Sequence, residues 1–301
     1  MNSRSKHWRS DLIGLFVAVV FASSAAAIMA KTEAPPLAIA FWRNAIAGIV
    51  LIPMLFKYRS QLISLESSKW RPLVSAGVFL GIHFASWVPS VKLTSVTSAT
   101  ALVATQVVWA AVIATIAGRR APKIQYLGIS ISFAGVLVLT GIDFALSPQA
   151  LLGDILALLG AVLVAAYMFQ GKKVRAHLPL SVFTALVYLI AAATMLVICL
   201  VLQVPLFGYS LEAWLLIAAV TLFAQFGGHT LYNRALRSFS PTAVATTILF
   251  QIPVSSILGW VLVSQVPEIL LIPAAIMIAV GMVIVIRSER PKSVELEAGI
   301  D

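Results

Sequence analysis

Ten stretches of this chain, each close to the length of a bilayer crossing, carry almost no charge, and that pattern limits the fold more than any motif does. They run over 12–30, 37–56, 72–91, 95–117, 124–142, 152–170, 180–202, 213–233, 241–263 and 269–286. A membrane-spanning helix needs about 20 predominantly apolar residues. Inside hydrocarbon the backbone must satisfy its own polar groups, which leaves only helices and closed barrels. None of the ten runs alternates apolar and polar residues as a barrel strand does. The sequence therefore reads as an all-α integral membrane protein of ten transmembrane helices. Composition agrees: 60% of residues are hydrophobic and 11% charged, with a mean hydropathy of +1.00, whereas a soluble domain carries about 25% charged residues to face water.

The first run needs a separate check, because Arg4, Lys6 and Arg9 precede it and Ala25-Ala26-Ala27 mimics a cleavage site. Its nineteen uncharged residues exceed the roughly 7–15-residue core of a secretory signal. It reads as a retained span. The net charge of +10 would suggest nucleic acid in a soluble protein. Here the basic residues sit in the gaps between apolar runs, so no nucleic-acid partner is expected.

The same residues set the orientation. One side receives eighteen Lys and Arg from the N-tail, loops 57–71, 118–123, 171–179 and 234–240, and the C-tail. The other side receives Lys31 and Lys92, and Arg43 lies inside the second run. Positive residues collect on the cytoplasmic side, so both termini are expected there, in the inner (plasma) membrane of a bacterium.

The two halves resemble each other. At an offset of 145, Lys92-Leu-Thr-Ser pairs with Arg237-Ser-Phe-Ser, Thr97 with Thr242, Gln106 with Gln251 and Pro122 with Pro267; at 143, Asp11 pairs with Asp154 and Pro36 with Pro179. The chain divides into an N-tail (1–11), a first five-helix repeat (12–142), a second (152–286) and a C-tail (287–301). Five spans is an odd number, so the second copy lies upside down, the architecture of secondary transporters.

These features, together with Gly153-Asp154-Ile-Leu-Ala-Leu-Leu-Gly, Phe84-Ala-Ser-Trp-Val-Pro-Ser-Val-Lys92-Leu-Thr-Ser, Gln251-Ile-Pro253-Val and the closing Ala279-Val-Gly281-Met-Val, resemble the drug/metabolite transporter superfamily, in its ten-span EamA-domain branch. The resemblance covers 11–286 and implies export or exchange of a small metabolite. Two departures stand out. The family often has a Glu at the end of the fourth helix of each repeat, where this chain has Arg119 and Gln265. The first half reads Gln106-Val-Val-Trp109 where the second has Pro253.

Polar groups at membrane depth are the candidate substrate contacts. Arg43 is the seventh residue of its run, roughly 9–10 Å deep at 1.5 Å per residue. Two roles are open for it: a cation receiving a carboxylate or phosphate, or a structural arginine that caps carbonyls or snorkels outward. Gln106 and Gln251 are repeat mates at mid-span, and Pro253 removes a backbone donor that leaves a carbonyl free beside Gln251; the alternative is interhelical bonding. His83 and His229 lie 146 apart, with Trp87 one turn beyond the first and Gln225 and Asn233 flanking the second. They read as ligands or proton carriers, or as histidines that pack two helices. Trp109 and Tyr232 line the path or anchor the interface. The small-residue run Thr94–Ala101 reads as close helix packing.

Absences narrow the chemistry. No Asp or Glu occupies the central part of a run, which excludes a midplane carboxylate relay and leaves the histidines for any proton coupling. No phosphate-cradling glycine loop appears, no Cys/His set has metal-ligand spacing, and the single Cys199 forms no internal disulfide. The expectation is a carrier, not an enzyme, without cofactor or metal. It would move a small polar or amphiphilic molecule, amino-acid-like or an organic anion, within membrane lipid as monomer or homodimer. A lipid-modifying intramembrane enzyme or a channel or receptor are the rivals.

Overall fold

The computed structural model describes residues 3–94, 99, 102–119, 121–140, 147–263 and 269–288. Every element among them is helical: α1 (Ser3–Ala30), α2 (Pro36–Lys57), the short α3 (Arg59–Ile63), α4 (Ser67–Leu93), α5 (Gln106–Ile116), α6 (Lys123–Thr140), α7 (Pro148–Arg175) and α8 (Leu180–Val201). Next, α9 (Leu211–Val220) passes through a π-helical stretch, Thr221–His229, into α10 (Thr230–Ala235), and α11 (Pro241–Ile248), α12 (Gln251–Val263) and α13 (Leu271–Ser288) follow. Sequence writes several of these starts. Ser147, Ser210 and Ser240 each accept a hydrogen bond from the backbone N–H three residues on, at 3.1, 3.2 and 3.1 Å, the geometry of an N-cap. Pro148 and Pro241 then open their helices, where a missing N–H costs nothing.

Among the described residues, eight stretches are long and apolar enough to cross a membrane. The expected spans 95–117 and 124–142 appear instead as shorter apolar helices, Leu102–Ile116 and Lys123–Val138. Residues 95–98, 100, 101, 141 and 142 of those two runs lie outside the described set, as do Gln265, Pro267 and most of the Thr94–Ala101 run. Large apolar side chains such as Ile116, Val201, Val261 and Ile272 project outward, a surface that water would not tolerate and lipid does.

Close helix approaches give the relative directions. A side chain on Gly128 would meet the Gly281 carbonyl at 2.7 Å and one on Gly135 the Ala274 carbonyl at 2.8 Å, so α6 and α13 run antiparallel with their backbones nearly touching. Gly153 faces Thr94 while Gly160 faces Trp87, which makes α7 antiparallel to α4. Gly77 faces Ile190 and Gly81 faces Thr194, so α4 and α8 are parallel. These directions are those of helices that alternate across a membrane.

The packing exchanges under a swap of the halves. Helix α4 lies along α7, and its counterpart, the helix from α9 to α10, lies along α1. The pairs α2 with α8 and α6 with α13 map onto themselves. The buried core that results holds Phe84, Phe183, Tyr188 and Phe239, and also Arg43.

Candidate functional site

Arg43 is 1% exposed. Its Nε donates to Gln225 Oε1 at 2.9 Å, Gln225 Nε2 donates to Asn44 Oδ1 at 3.0 Å, and Asn44 Nδ2 donates to the Ala40 carbonyl at 2.8 Å. The guanidinium lies over the Phe84 ring, 4.6 Å from its centroid. One guanidinium nitrogen, Nη2, is buried without a hydrogen-bond partner. Among the described residues the one ion pair is Asp11–Arg234, so no carboxylate neutralises Arg43. This side chain does not snorkel to a surface, and its bond goes to a side-chain amide, not to a helix-end carbonyl. A guanidinium held this way is fixed in orientation but incompletely compensated.

The grip on Arg43 depends on the shape of the helix that supplies Gln225. Between Thr221 and His229 the turns widen, and the Gln225 carbonyl accepts the Thr230 N–H five residues on. Thr230 Oγ1 donates to the same carbonyl at 3.0 Å, and Tyr188 Oη lies 3.3 Å from that carbonyl and 2.9 Å from Thr230 Oγ1. Widened turns of this kind recur at functional sites. Nothing in the apolar pattern announces it. The local signal is Gly227-Gly228, which lets this helix press onto Phe21 and Ala22 of α1.

The other candidate residues fall into a chain and two outliers. His83 Nδ1 donates to the Gly160 carbonyl at 2.8 Å, so that nitrogen carries the proton and ties α4 to α7. Its ring stacks on Trp87 at 6.2 Å, whose Nε1 is buried and unpartnered. His83 neighbours Phe84 at 5.1 Å, Phe84 meets the edge of His229 at 5.2 Å, and His229 meets Tyr232 at 6.3 Å. Tyr232 Oη accepts from Gln251 Nε2 at 2.8 Å. Phe84 thus joins Arg43, both histidines, Trp87, Tyr232 and Gln251 into one connected region. Gln106 is buried and Trp109 half-buried on α5, and among the described residues no hydrogen bond or ring contact joins either to that chain. Tyr167 Oη donates to Asn233 Oδ1, while Asn233 Nδ2 stays unpartnered. From the sequence alone Asn44, Phe84, Tyr167 and Tyr188 are not candidates, and Gln225 enters only as a neighbour of His229. The available signal is a tyrosine hydroxyl within a largely apolar run.

Both repeat-related glutamines sit just past a break in their helix. Before Gln251 the helix pauses at Leu249 and Phe250, whose amides bond three residues back at 3.2 and 3.1 Å. The carbonyl expected to be free because of Pro253 is that of Leu249, and it accepts the Ile252 N–H at 3.2 Å; the tighter turn recaptures it. Ser23 Oγ, which donates to the Val19 carbonyl at 2.6 Å, lies 3.3 Å from the Gln251 carbonyl. Before Gln106 the break occurs without proline. Thr105 Oγ1 donates to the Leu102 carbonyl at 2.6 Å and the Thr105 amide reaches the same carbonyl at 3.2 Å, a local side-chain bond that competes with the helical ladder.

The two ends of the bundle are tied differently. At the end bearing the N-terminus, Arg234 Nε donates to buried Asp11 at 2.8 Å, Ser238 Oγ donates to the other Asp11 oxygen, and Arg175 Nε donates to the Asn233 carbonyl at 3.1 Å. At the opposite end Trp42 Nε1 donates to the Leu206 carbonyl at 2.7 Å and packs edge-on against Phe207 and Trp214. There the Ser210 N–H donates to Glu33 at 3.1 Å, and bonds from Ser210 hold the Glu33 carboxyl below its ordinary value. Asp154 is the repeat mate of Asp11, and Thr94 stands 144 residues before Ser238. In contrast to the first pair, Asp154 Oδ1 and Thr94 Oγ1 are both buried without partners.

Comparison with known proteins places these features in context. Residues 9–141 and 151–287 each match the model of the EamA-like transporter family. No curated protein matches the chain. Among solved structures, one described only as the crystal structure of a protein aligns with a TM-score of 0.75 at 20% identity, covering 92% of this chain and 96% of that one. That likeness bears on the fold alone.

Proposed function

This chain belongs to the EamA-like transporter family, a multi-pass membrane family of the drug/metabolite transporter superfamily, and from that premise we propose that it is a secondary carrier for a small organic anion. Ten helices in two inverted five-helix repeats would span the inner membrane with both termini cytoplasmic. The eighteen-to-two division of basic residues supports that orientation, and the alternating helix directions support the count.

The observation that carries the reading is Arg43, a buried guanidinium with neutral neighbours and an unpartnered Nη2. A cation at membrane depth costs about 2.5–3.5 kcal/mol on insertion scales, and a carboxylate arriving on Nη2 offsets that cost. Gln225 and Asn44 aim the guanidinium. Phe84, His229, Tyr232 and Trp87 would surround the remainder of the substrate, and Gln251 would hydrogen-bond it from its broken helix. His83 would hold α4 against α7, and Gln106 and Trp109 would join only in another state of the cycle.

Alternating access follows from the unequal ends. The Asp11–Arg234–Ser238 tie closes the cytoplasmic end across α1 and α10. The repeat mate Asp154 has an oxygen without such a tie, and so does Thr94, nearby in the sequence alignment of the halves. Rocking one repeat against the other would release the first and form the second.

Counterflow in proteoliposomes tests the proposal. Vesicles preloaded with unlabelled monocarboxylates and other metabolites are diluted into a trace of the labelled compound. A carrier gives transient, saturable uptake of at least one anion. Uptake without counterflow would mean a channel, and a chemically altered product would mean an enzyme; either result rejects the reading.

A further inference from the structure

Helices α5 and α6 follow each other in the chain, yet they splay apart. Their repeat counterparts behave otherwise, because α12 lies against α13. Between the splayed pair runs a groove of about 360 Å³ lined by Val108, Ala111, Val112, Thr115, Tyr126 and Ser130, among others. Among the described residues the polar link across it is the 3.1 Å contact between Thr115 Oγ1 and Tyr126 Oη. Its far wall is fixed, since the opposite face of α6 is locked onto α13 at Gly128 and Gly135. Val108, Val112, Ile116 and Tyr126 are exposed along it, so the groove opens outward to the bilayer and not inward to Arg43. Water does not fill a mostly apolar cleft at this depth.

The charge at its mouth is one-sided. After Ile116 the chain turns sharply at Gly118, where φ is +73°, and the Arg119 amide reaches back to the Ala114 carbonyl at 2.8 Å. This fold-back sets exposed Arg119 over the end of α5, one turn above Thr115, and exposed Lys123 stands one turn before Tyr126 at the start of α6. Between Glu66 and Asp143 the sequence contains no acidic residue at all. Arg119 and Lys123 have no ion pair among the described residues.

An apolar slot open to lipid and capped by two uncompensated cations matches one occupant. We propose that this groove is a binding site for an anionic phospholipid. One acyl chain lies between α5 and α6, the headgroup phosphate bridges Arg119 and Lys123, and the hydroxyls of Thr115 and Ser130 face the glycerol esters. Basic residues attract anionic lipid at about 1 kcal/mol each near the surface, so two of them predict an enrichment on the order of tenfold or more over a zwitterionic lipid of the same chains. The inference does not rest on transport, and its test does not measure transport.

The experiment is native mass spectrometry of the full chain released from nanodiscs holding equal amounts of phosphatidylglycerol and phosphatidylcholine with identical acyl chains. The expected result is a retained phosphatidylglycerol adduct enriched several-fold or more. Arg119→Gln/Lys123→Gln should abolish the enrichment, and both residues are exposed, so folding should survive. Val112→Trp, which fills the slot, should reduce retention of both lipids. Equal retention of the two lipids by the wild type, or an undiminished preference in the double variant, overturns the proposal. So does a dimer cross-linked through the introduced thiol of Val112→Cys in a Cys199→Ala background, which would make the occupant a second copy of the chain.

Discussion

Replacing Arg43 with methionine separates a binding cation from a structural one, because the two roles predict different balances. Methionine keeps most of the buried volume and the Phe84 contact surface while removing the charge. The variant loses the charge-assisted bond to Gln225, about 1.5–3 kcal/mol, and the cation–π attraction of the guanidinium to the Phe84 face, about 0.5–2 kcal/mol. It also removes the burial cost of a cation at membrane depth, about 2.5–3.5 kcal/mol. These terms offset one another to within a few kcal/mol, so the unliganded variant should melt within several degrees of the wild type. The ligand response should differ completely. An anion at a hundred times its Kd stabilises by about 2.7 kcal/mol, equivalent to a wild-type shift of roughly 5–10 °C. The assay is a thermal-shift panel of monocarboxylates on the purified protein in detergent. Arg43→Met should show no shift with any compound that stabilises the wild type. A variant that still responds to the same anions would remove Arg43 from the site. An unliganded variant that fails to fold would instead make the arginine a structural element.

Three further outcomes follow from the same geometry. Gln225→Glu places a carboxylate 2.9 Å from the Arg43 Nε position, so the protein should melt no lower than the wild type while its anion affinity falls at least tenfold; unchanged affinity by the same thermal titration would contradict this. Asp11→Asn should cost on the order of 1–3 kcal/mol, because Asp11 is 4% exposed while Arg234 is 40% exposed and a charge-assisted bond to a buried carboxylate is lost. It should also speed maleimide labelling of Leu236→Cys in a Cys199→Ala background, since the tie across α1 and α10 is weakened, and an unaltered rate would remove the tie from the gate. For Glu33 the lowered carboxyl value means its bond to Ser210 stabilises the folded state fully above the ordinary value of 4.5 and stops doing so as pH falls through the lowered value. Hydrogen exchange at Ser210, compared with Glu33→Gln at each pH, should show protection in the native protein that vanishes on acidification; protection that is independent of pH would contradict it.

Membrane residence, helical class and family were legible in the sequence because each follows from a property that accumulates along the chain. Apolar run length, basic-residue placement and a repeat offset need no tertiary information. Arg43 was conspicuous for the same reason, as a charge where the pattern forbids one. Its partner was not, because Gln225 lies 182 residues away and reaches Arg43 only after its helix widens between Thr221 and His229. A π-helical turn leaves no mark in hydropathy. A free carbonyl beside Gln251 was expected from Pro253, but that carbonyl, of Leu249, is recaptured by Ile252 where the helix breaks. The matching break before Gln106 has no proline, and Thr105 reads as an ordinary threonine until its hydroxyl is seen on the Leu102 carbonyl. His83 shows the limit of depth as a guide, since its placement suggested a ligand and its Nδ1 proves to be engaged with Gly160.

On the proposed function, the region around Arg43 is a path for anions that opens to each side of the membrane in turn. A cysteine replacing half-buried His229, in a Cys199→Ala background reconstituted in liposomes, measures this directly with a membrane-impermeant, negatively charged thiosulfonate. Modification by reagent added to either side, slowed in both cases by Arg43→Met, is the predicted result. A cysteine that stays unmodified from both sides would contradict it.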